Sequence, residues 1–153
     1  MGTRRKAREC ALQMLFQLDI TNDQRYLKER YWDNNPVTES IKDYANELVT
    51  GTLTHLSEID AIISKFAQNW TLARMGRIDR NVLRLSVFEL LYREDIPARV
   101  TLNEGIIIAK KFAEESSGAF INGILDRILR EDPRAKRKLE TLDPVHVHDD
   151  EDR

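Results

Sequence analysis

The chain has 153 residues, which is enough to bury a hydrophobic core without disulfides or a structural metal. Hydrophobic residues make up 41 % of it and charged residues 33 %, with few glycines and prolines, and this balance is typical of a helical globular protein. No apolar run approaches the ~20 residues that a membrane-spanning helix needs, and the N-terminus lacks the apolar core of a signal peptide. We therefore expect a cytoplasmic protein.

The net charge of −2 conceals two oppositely charged ends. The first eight residues carry four cations, Arg4, Arg5, Lys6 and Arg8, and no acid. Residues 143–153 carry five acids and one arginine, for a net charge of −4. A nearly neutral protein with a basic end can bind nucleic acid at that end. A solvated basic tail is the alternative, and charge alone leaves both interpretations open.

The first predicted helix covers residues 3–19. Within one arc of roughly 140° lie its apolar side chains, Ala7, Cys10, Ala11, Met14, Leu15 and Leu18. Phe16 lies nearly opposite that arc, where a helix packed only on its apolar stripe has no use for an aromatic ring. We predict that Phe16 contacts a partner or a base.

Helical periodicity continues along the rest of the chain. Further helices are predicted over 21–32, 38–56, 57–66, 78–92, 101–112 and 120–129, with a short terminal turn over 133–142. Predicted capping boxes open three of them, Thr21 with Gln24, Ser57 with Asp60, and Thr101 with Glu104. We predict one domain, 1–142, with halves 1–72 and 73–142, a break at 116–118, and a disordered acidic tail, 143–153.

The predicted helix 78–92 is apolar almost all round, which is typical of a buried central helix. Arg84 and Glu89 lie within it. Because a buried charge persists only with an internal partner, we expect both residues to be structural.

A second group of arginines lies at the start of this helix. Arg74, Arg77 and Arg80 suit either surface salt bridges or RNA phosphates, and the sequence leaves both interpretations open. Asp79 lies in the first turn, where a carboxylate is favourable to the helix dipole.

No motif in the sequence predicts catalysis or a cofactor. There is no glycine-rich phosphate loop and no paired cysteine, and Cys10 is expected to be a buried apolar residue. His146 and His148 lie near Asp149 and Asp150 in the acidic tail. We favour a solvated tail over a weak metal site there.

Several short motifs occur together in a fixed order. They are residues 4–13 (RRKARECALQ), 79–85 (DRNVLRL), 89–90 (EL), 96–97 (IP), 103–104 (NE), 109–112 (AKKF) and 120–126 (FINGILD). In this order they resemble the NusB family of transcription antitermination factors, over roughly residues 4–130. The resemblance implies an all-α fold of two perpendicular three-helix bundles, with about seven helices, no catalysis and no cofactor.

The resemblance also implies partners. NusB proteins pair with NusE, a small-subunit ribosomal protein. The pair binds the single-stranded boxA element of nascent ribosomal RNA, within an antitermination complex on RNA polymerase. By position, Arg4, Arg5, Lys6 and Arg8 correspond to the family's RNA-binding arm.

The remaining candidate residues lie elsewhere in the chain. Phe16 corresponds to an aromatic residue, often Tyr, that contacts NusE, and Asp79 to an acidic partner contact. Phe120 corresponds to an aromatic residue at the RNA surface, although burial at a helix start is the alternative. Arg74 and Arg77 complete the candidate RNA surface.

A related helical module occurs in ribosomal RNA cytosine methyltransferases, whose chains continue into a large domain that binds S-adenosylmethionine. This sequence shows no such domain, so we expect a stand-alone antitermination factor. A stand-alone helical RNA-binding protein related to the methyltransferase module is the alternative.

Overall fold

The computed structural model describes residues 2–22 and 27–141. This part of the chain forms α1 (Gly2–Thr21), α2 (Leu27–Asn34), α3 (Glu39–Thr54), α4 (Leu56–Phe66), α5 (Arg77–Tyr92), α6 (Ala98–Phe112), α7 (Glu115–Glu131) and α8 (Pro133–Thr141), with a 3₁₀ turn at Leu72–Arg74. No strand occurs among these residues, and the predicted all-α class is confirmed. The acidic tail 143–153 and Gln24 of the first capping box lie outside the described residues.

Helix α5 is the centre of the fold, as its all-round apolar pattern predicts. It packs against α1, α3 and α4 from the N-terminal part of the chain and against α6, α7 and α8 from the C-terminal part. Its buried residues are Asn81, Val82, Leu83, Leu85, Ser86, Val87, Phe88, Glu89 and Leu90. The predicted division into halves near residue 72 stays a prediction. None of the described helices combines the length and the apolar character that crossing a bilayer requires.

Two predicted capping boxes are wrong. The box of Ser57 and Asp60 lies inside α4, and the box of Thr101 and Glu104 lies inside α6, whose N-cap is Pro97. Proline fixes φ near −65°, which suits a helix start without a side-chain cap. These side chains instead bond to residues on other helices: Asp60 accepts from Arg84, Glu104 accepts from Arg5, and Thr101 donates to Glu89.

The predicted break at 116–118 is also wrong, because α7 runs straight through it. Gly118 serves packing there. A Cβ at this position would lie 2.6 Å from Lys110 Cε and 3.2 Å from Ile106 Cγ2, both on α6. The missing side chain lets α6 and α7 pack closely.

The internal partner predicted for Arg84 is confirmed. Its Nε and Nη2 each donate to a carboxylate oxygen of Asp60 at 2.9 Å.

Arg80 donates through Nη2 to Asp19 at 2.7 Å and through Nη1 to the carbonyl oxygen of Leu72. Burial opposes ionisation of Asp19, but hydrogen bonds from Arg80 and Asn81 outweigh it and lower the pKa of the carboxyl group. These contacts fasten the C-terminal end of α1 to the start of α5.

Candidate nucleic-acid and partner interface

The four N-terminal cations, here called the basic arm (Arg4, Arg5, Lys6 and Arg8), lie on the first two turns of α1. Arg4 and Lys6 are exposed and Arg5 is partly buried, whereas Arg8 is only 4 % exposed. The arm is thus part of a helix packed against the core, rather than a solvated tail.

The structure corrects the expectation that Arg8 contacts RNA. Its Nε and Nη2 donate to the two carboxylate oxygens of Glu89, at 2.8 and 3.3 Å. Burial opposes the charge of Arg8, but the neighbouring Glu89 carboxylate outweighs it and raises the pKa of the guanidinium. A guanidinium in this position is unavailable to a phosphate.

Glu89 is the structural residue that its position in α5 predicts. Besides Arg8, its carboxylate accepts hydrogen bonds from Tyr44 Oη at 2.6 Å and from Thr101 Oγ1 at 2.7 Å. Burial, together with the Glu89 charge, raises the pKa of the Tyr44 hydroxyl well above its usual range. Helices α1, α3, α5 and α6 therefore meet at one carboxylate.

Two ion pairs hold the N-terminal part of α1 against α6. Arg5 donates through Nε and Nη2 to both oxygens of Glu104, at 2.9 and 2.8 Å, and this hydrogen bonding lowers the pKa of Glu104. Lys111 Nζ lies 3.0 Å from Glu9 Oε2 while most of its side chain stays in solvent. Lys111 thereby joins the exposed cations of the arm. Nothing in its local sequence separates it from other surface lysines.

Arg4 lies over an aromatic ring rather than free in solvent. Its guanidinium carbon is 3.9 Å from the centroid of the Tyr44 ring, and that of Arg93, which follows α5, is 5.0 Å from the same centroid. A cation this close to a ring face is attracted by the ring quadrupole. Arg93 also forms ion pairs with Glu47 and Asp95, so Arg4 is the unneutralised cation over this ring among the described residues.

Phe120 lies in the second turn of α7, so the helix begins five residues before the start that the sequence predicts. Its ring is partly buried against the core and meets Trp70 edge to face, with centroids 6.0 Å apart. Trp70 is 51 % exposed. Trp70 and Phe120 together form an aromatic pair that is partly exposed at the protein surface.

Arg74 and Arg77 follow Trp70 closely in the chain. Arg74 ends the 3₁₀ turn and Arg77 begins α5, and both are exposed. The structure thus places both side chains at the surface, where they are accessible to phosphates.

Phe16 is partly exposed, which agrees with its predicted position opposite the apolar face of α1. One turn further along α1, Ile20 is 52 % exposed. The two side chains make an i, i+4 apolar pair on the outer face of the helix. Asp79, in the first turn of α5, has one buried carboxylate oxygen for which the described residues supply no hydrogen-bond partner. We call Phe16, Ile20 and Asp79 the second surface.

Comparison with known proteins places the chain in a family. The model of the NusB family matches residues 5–130. The chain belongs to the NusB family. A relative from Desulfitobacterium hafniense (strain DSM 10664 / DCB-2), the transcription antitermination protein NusB, is 50 % identical over 130 residues. That match covers 83 % of this chain and 88 % of the relative.

Solved NusB structures share the fold. NusB from T. maritima is 40 % identical, with a TM-score of 0.79 over 90 % of this chain and 96 % of that one. A solved complex of the antitermination factors NusB and NusE with double-stranded RNA contains a chain 31 % identical, with a TM-score of 0.76. That match covers 85 % of this NusB-family chain and 98 % of the chain in the complex.

Proposed function

We propose that this NusB-family protein is a cytoplasmic transcription antitermination factor and not an enzyme. In this proposal it binds the boxA element of nascent ribosomal RNA together with NusE, and acts on elongating RNA polymerase. The observation that carries the proposal is the row of exposed cations held on α1 in a chain related to antitermination proteins. The known complex of NusB and NusE with RNA supports both classes of partner.

The proposed RNA surface combines cations with aromatic rings. Arg4, Arg5 and Lys6 supply phosphate contacts, which fix position and give affinity but little sequence discrimination. Lys111 adds a fourth cation from α6. Arg74, Arg77 and the Trp70–Phe120 pair extend the proposed surface, because exposed rings stack on unpaired bases.

The proposed NusE contact is the second surface. Phe16 and Ile20 offer an apolar anchor of the kind that carries much of the energy of an interface. Asp79 is included in this proposed contact on the family resemblance, because its unpaired carboxylate oxygen is buried and out of a partner's reach. Phenylalanine at position 16 offers no hydroxyl, so this anchor acts through its ring alone.

Measured binding to two RNAs tests the proposed function. With NusE present, a boxA segment should bind more tightly than a scrambled RNA of equal length, by about tenfold or more. Without NusE, both RNAs should bind weakly and with a steep salt dependence, because phosphate contacts dominate. Equal affinity for the two RNAs in the presence of NusE would contradict the proposal.

Phe16→Asp should weaken NusE binding by about tenfold or more, because it puts a charge into an apolar contact. Titration calorimetry with purified NusE measures the effect. Gln17→Asp is the matched control, since it adds the same charge at the neighbouring exposed position. The control should bind NusE nearly as the unaltered protein does. If Phe16→Asp instead unfolds the protein, the ring belongs to the core and the assignment is wrong.

A further inference from the structure

The C-terminal helix ends close to the basic arm. Lys138, in the last turns of α8, donates from Nζ to the main-chain oxygen of Glu89 at 2.9 Å. The carboxylate of the same Glu89 binds Arg8, which lies one helical turn from Arg4 and Arg5 on α1. The last turns of α8 and the first turns of α1 are therefore linked through a single residue.

The basic arm and the segment that follows α8 carry opposite charges. Glu104 pairs with Arg5 and Glu9 pairs with Lys111, whereas Arg4 and Lys6 form no ion pair within the described residues. The chain that continues from α8 carries a net charge of −4 over residues 143–153. Residues 142–153 span at most about 40 Å when fully extended, which exceeds the few side-chain lengths that separate Lys138 from Arg4.

We propose that the acidic segment 143–153 docks on the surface formed by Arg4, Arg5, Lys6 and Lys111 of its own chain, and competes there with RNA phosphates. Tethering gives such a segment an effective concentration in the millimolar range, so even a weak contact is populated. RNA then binds only the fraction of molecules in which the surface is open, which lowers its apparent affinity. An RNA that binds only through these cations therefore competes poorly with the acidic segment. An RNA that makes further contacts elsewhere on the protein displaces the segment.

The competition with RNA rests on the proposed function, but the docking itself does not. Docking is therefore measured first without RNA. A nitroxide label is attached at Glu151→Cys in a Cys10→Ala background, since Cys10 is the chain's one cysteine and is buried. Amide signals of residues 4–6 should broaden. The broadening should vanish at about 1 M salt, where the Debye length is about 3 Å.

A neutralised tail provides the matched control for the labelling experiment. The variant carries Asp143→Asn, Asp149→Asn, Asp150→Asn and Asp152→Asn beside the label. It keeps the length of the tail and removes its negative charge, so residues 4–6 should no longer broaden. Broadening that is absent from residues 4–6, or that persists in this control, would overturn the docking proposal.

RNA binding then tests the competition. Removal of residues 143–153 should raise the affinity for a scrambled RNA by about three- to tenfold at low salt, and the neutralised, unlabelled tail should do the same. In an Arg4→Ala, Arg5→Ala, Lys6→Ala background the removal should have little effect, because three of the four cations of the shared surface are gone. A gain in affinity without the broadening, or equal affinity with and without the tail, would overturn the proposal. If the unaltered protein shows no preference for boxA over scrambled RNA in the presence of NusE, the proposed function is contradicted, but the docking result still stands.

Discussion

Glu89→Ala should lower the free energy of unfolding by about 3–5 kcal/mol. The substitution leaves the buried Arg8 guanidinium without its carboxylate and removes the acceptor of Tyr44 and Thr101. A domain of this size has only about 5–15 kcal/mol of stability in total. The melting temperature should fall by about 6–20 °C, measured by circular dichroism or calorimetry.

Two controls separate the buried pair from other effects of mutation. Asp126→Ala removes the partly exposed partner of the exposed Arg130, and should cost less than about 1 kcal/mol. The double variant Arg8→Met, Glu89→Leu replaces both charges by apolar side chains and should recover much of the lost stability. A Glu89→Ala protein that keeps its stability but loses RNA or NusE binding would show that Glu89 is a contact residue.

Replacing Arg4, Arg5 and Lys6 together by alanine should strongly weaken RNA binding while the fold persists. Each phosphate contact to single-stranded RNA contributes about 0.7 to the slope of log affinity against log salt, so the slope should flatten by about two units. Of these three residues, Arg5 alone forms an ion pair with a described residue, Glu104, and this pair lies at the protein surface, so the stability cost should be small. Filter binding across a salt series measures both affinity and slope.

The matched control for this variant removes the same charge elsewhere. Arg30, Arg130 and Lys136 are exposed on α2, α7 and α8. Alanine at these three positions should leave the salt slope nearly unchanged, apart from the general effect of net charge. If both triple variants bind RNA equally, the basic arm makes no local phosphate contacts.

The helical class and the central helix could be predicted from sequence because they depend on local pattern. Residues 78–92 are apolar on every side, and α5 contacts helices on both sides of the fold. The charges of Arg84 and Glu89 within that pattern required internal partners, and the structure supplies them. This prediction does not require knowing the partner, because burying a charge without any partner costs so much free energy that some partner must be present.

The predicted helix ends failed where a side chain had a better partner far away. Thr101 and Glu104 match the pattern of a capping box, yet they bind Glu89 and Arg5. A capping hydrogen bond stabilises a helix by about 1 kcal/mol, so a buried or charged partner outweighs it readily.

Sequence by itself determined that this protein is helical, that its N-terminus is basic and that one of its helices is the core. Only the tertiary structure decided which cations are accessible: Arg8 is buried with Glu89, 81 positions away, while Lys111 joins the arm through Glu9, 102 positions away. It also paired Trp70 with Phe120. The physical reason is that helical periodicity states which face a residue occupies, whereas accessibility depends on what packs against that face.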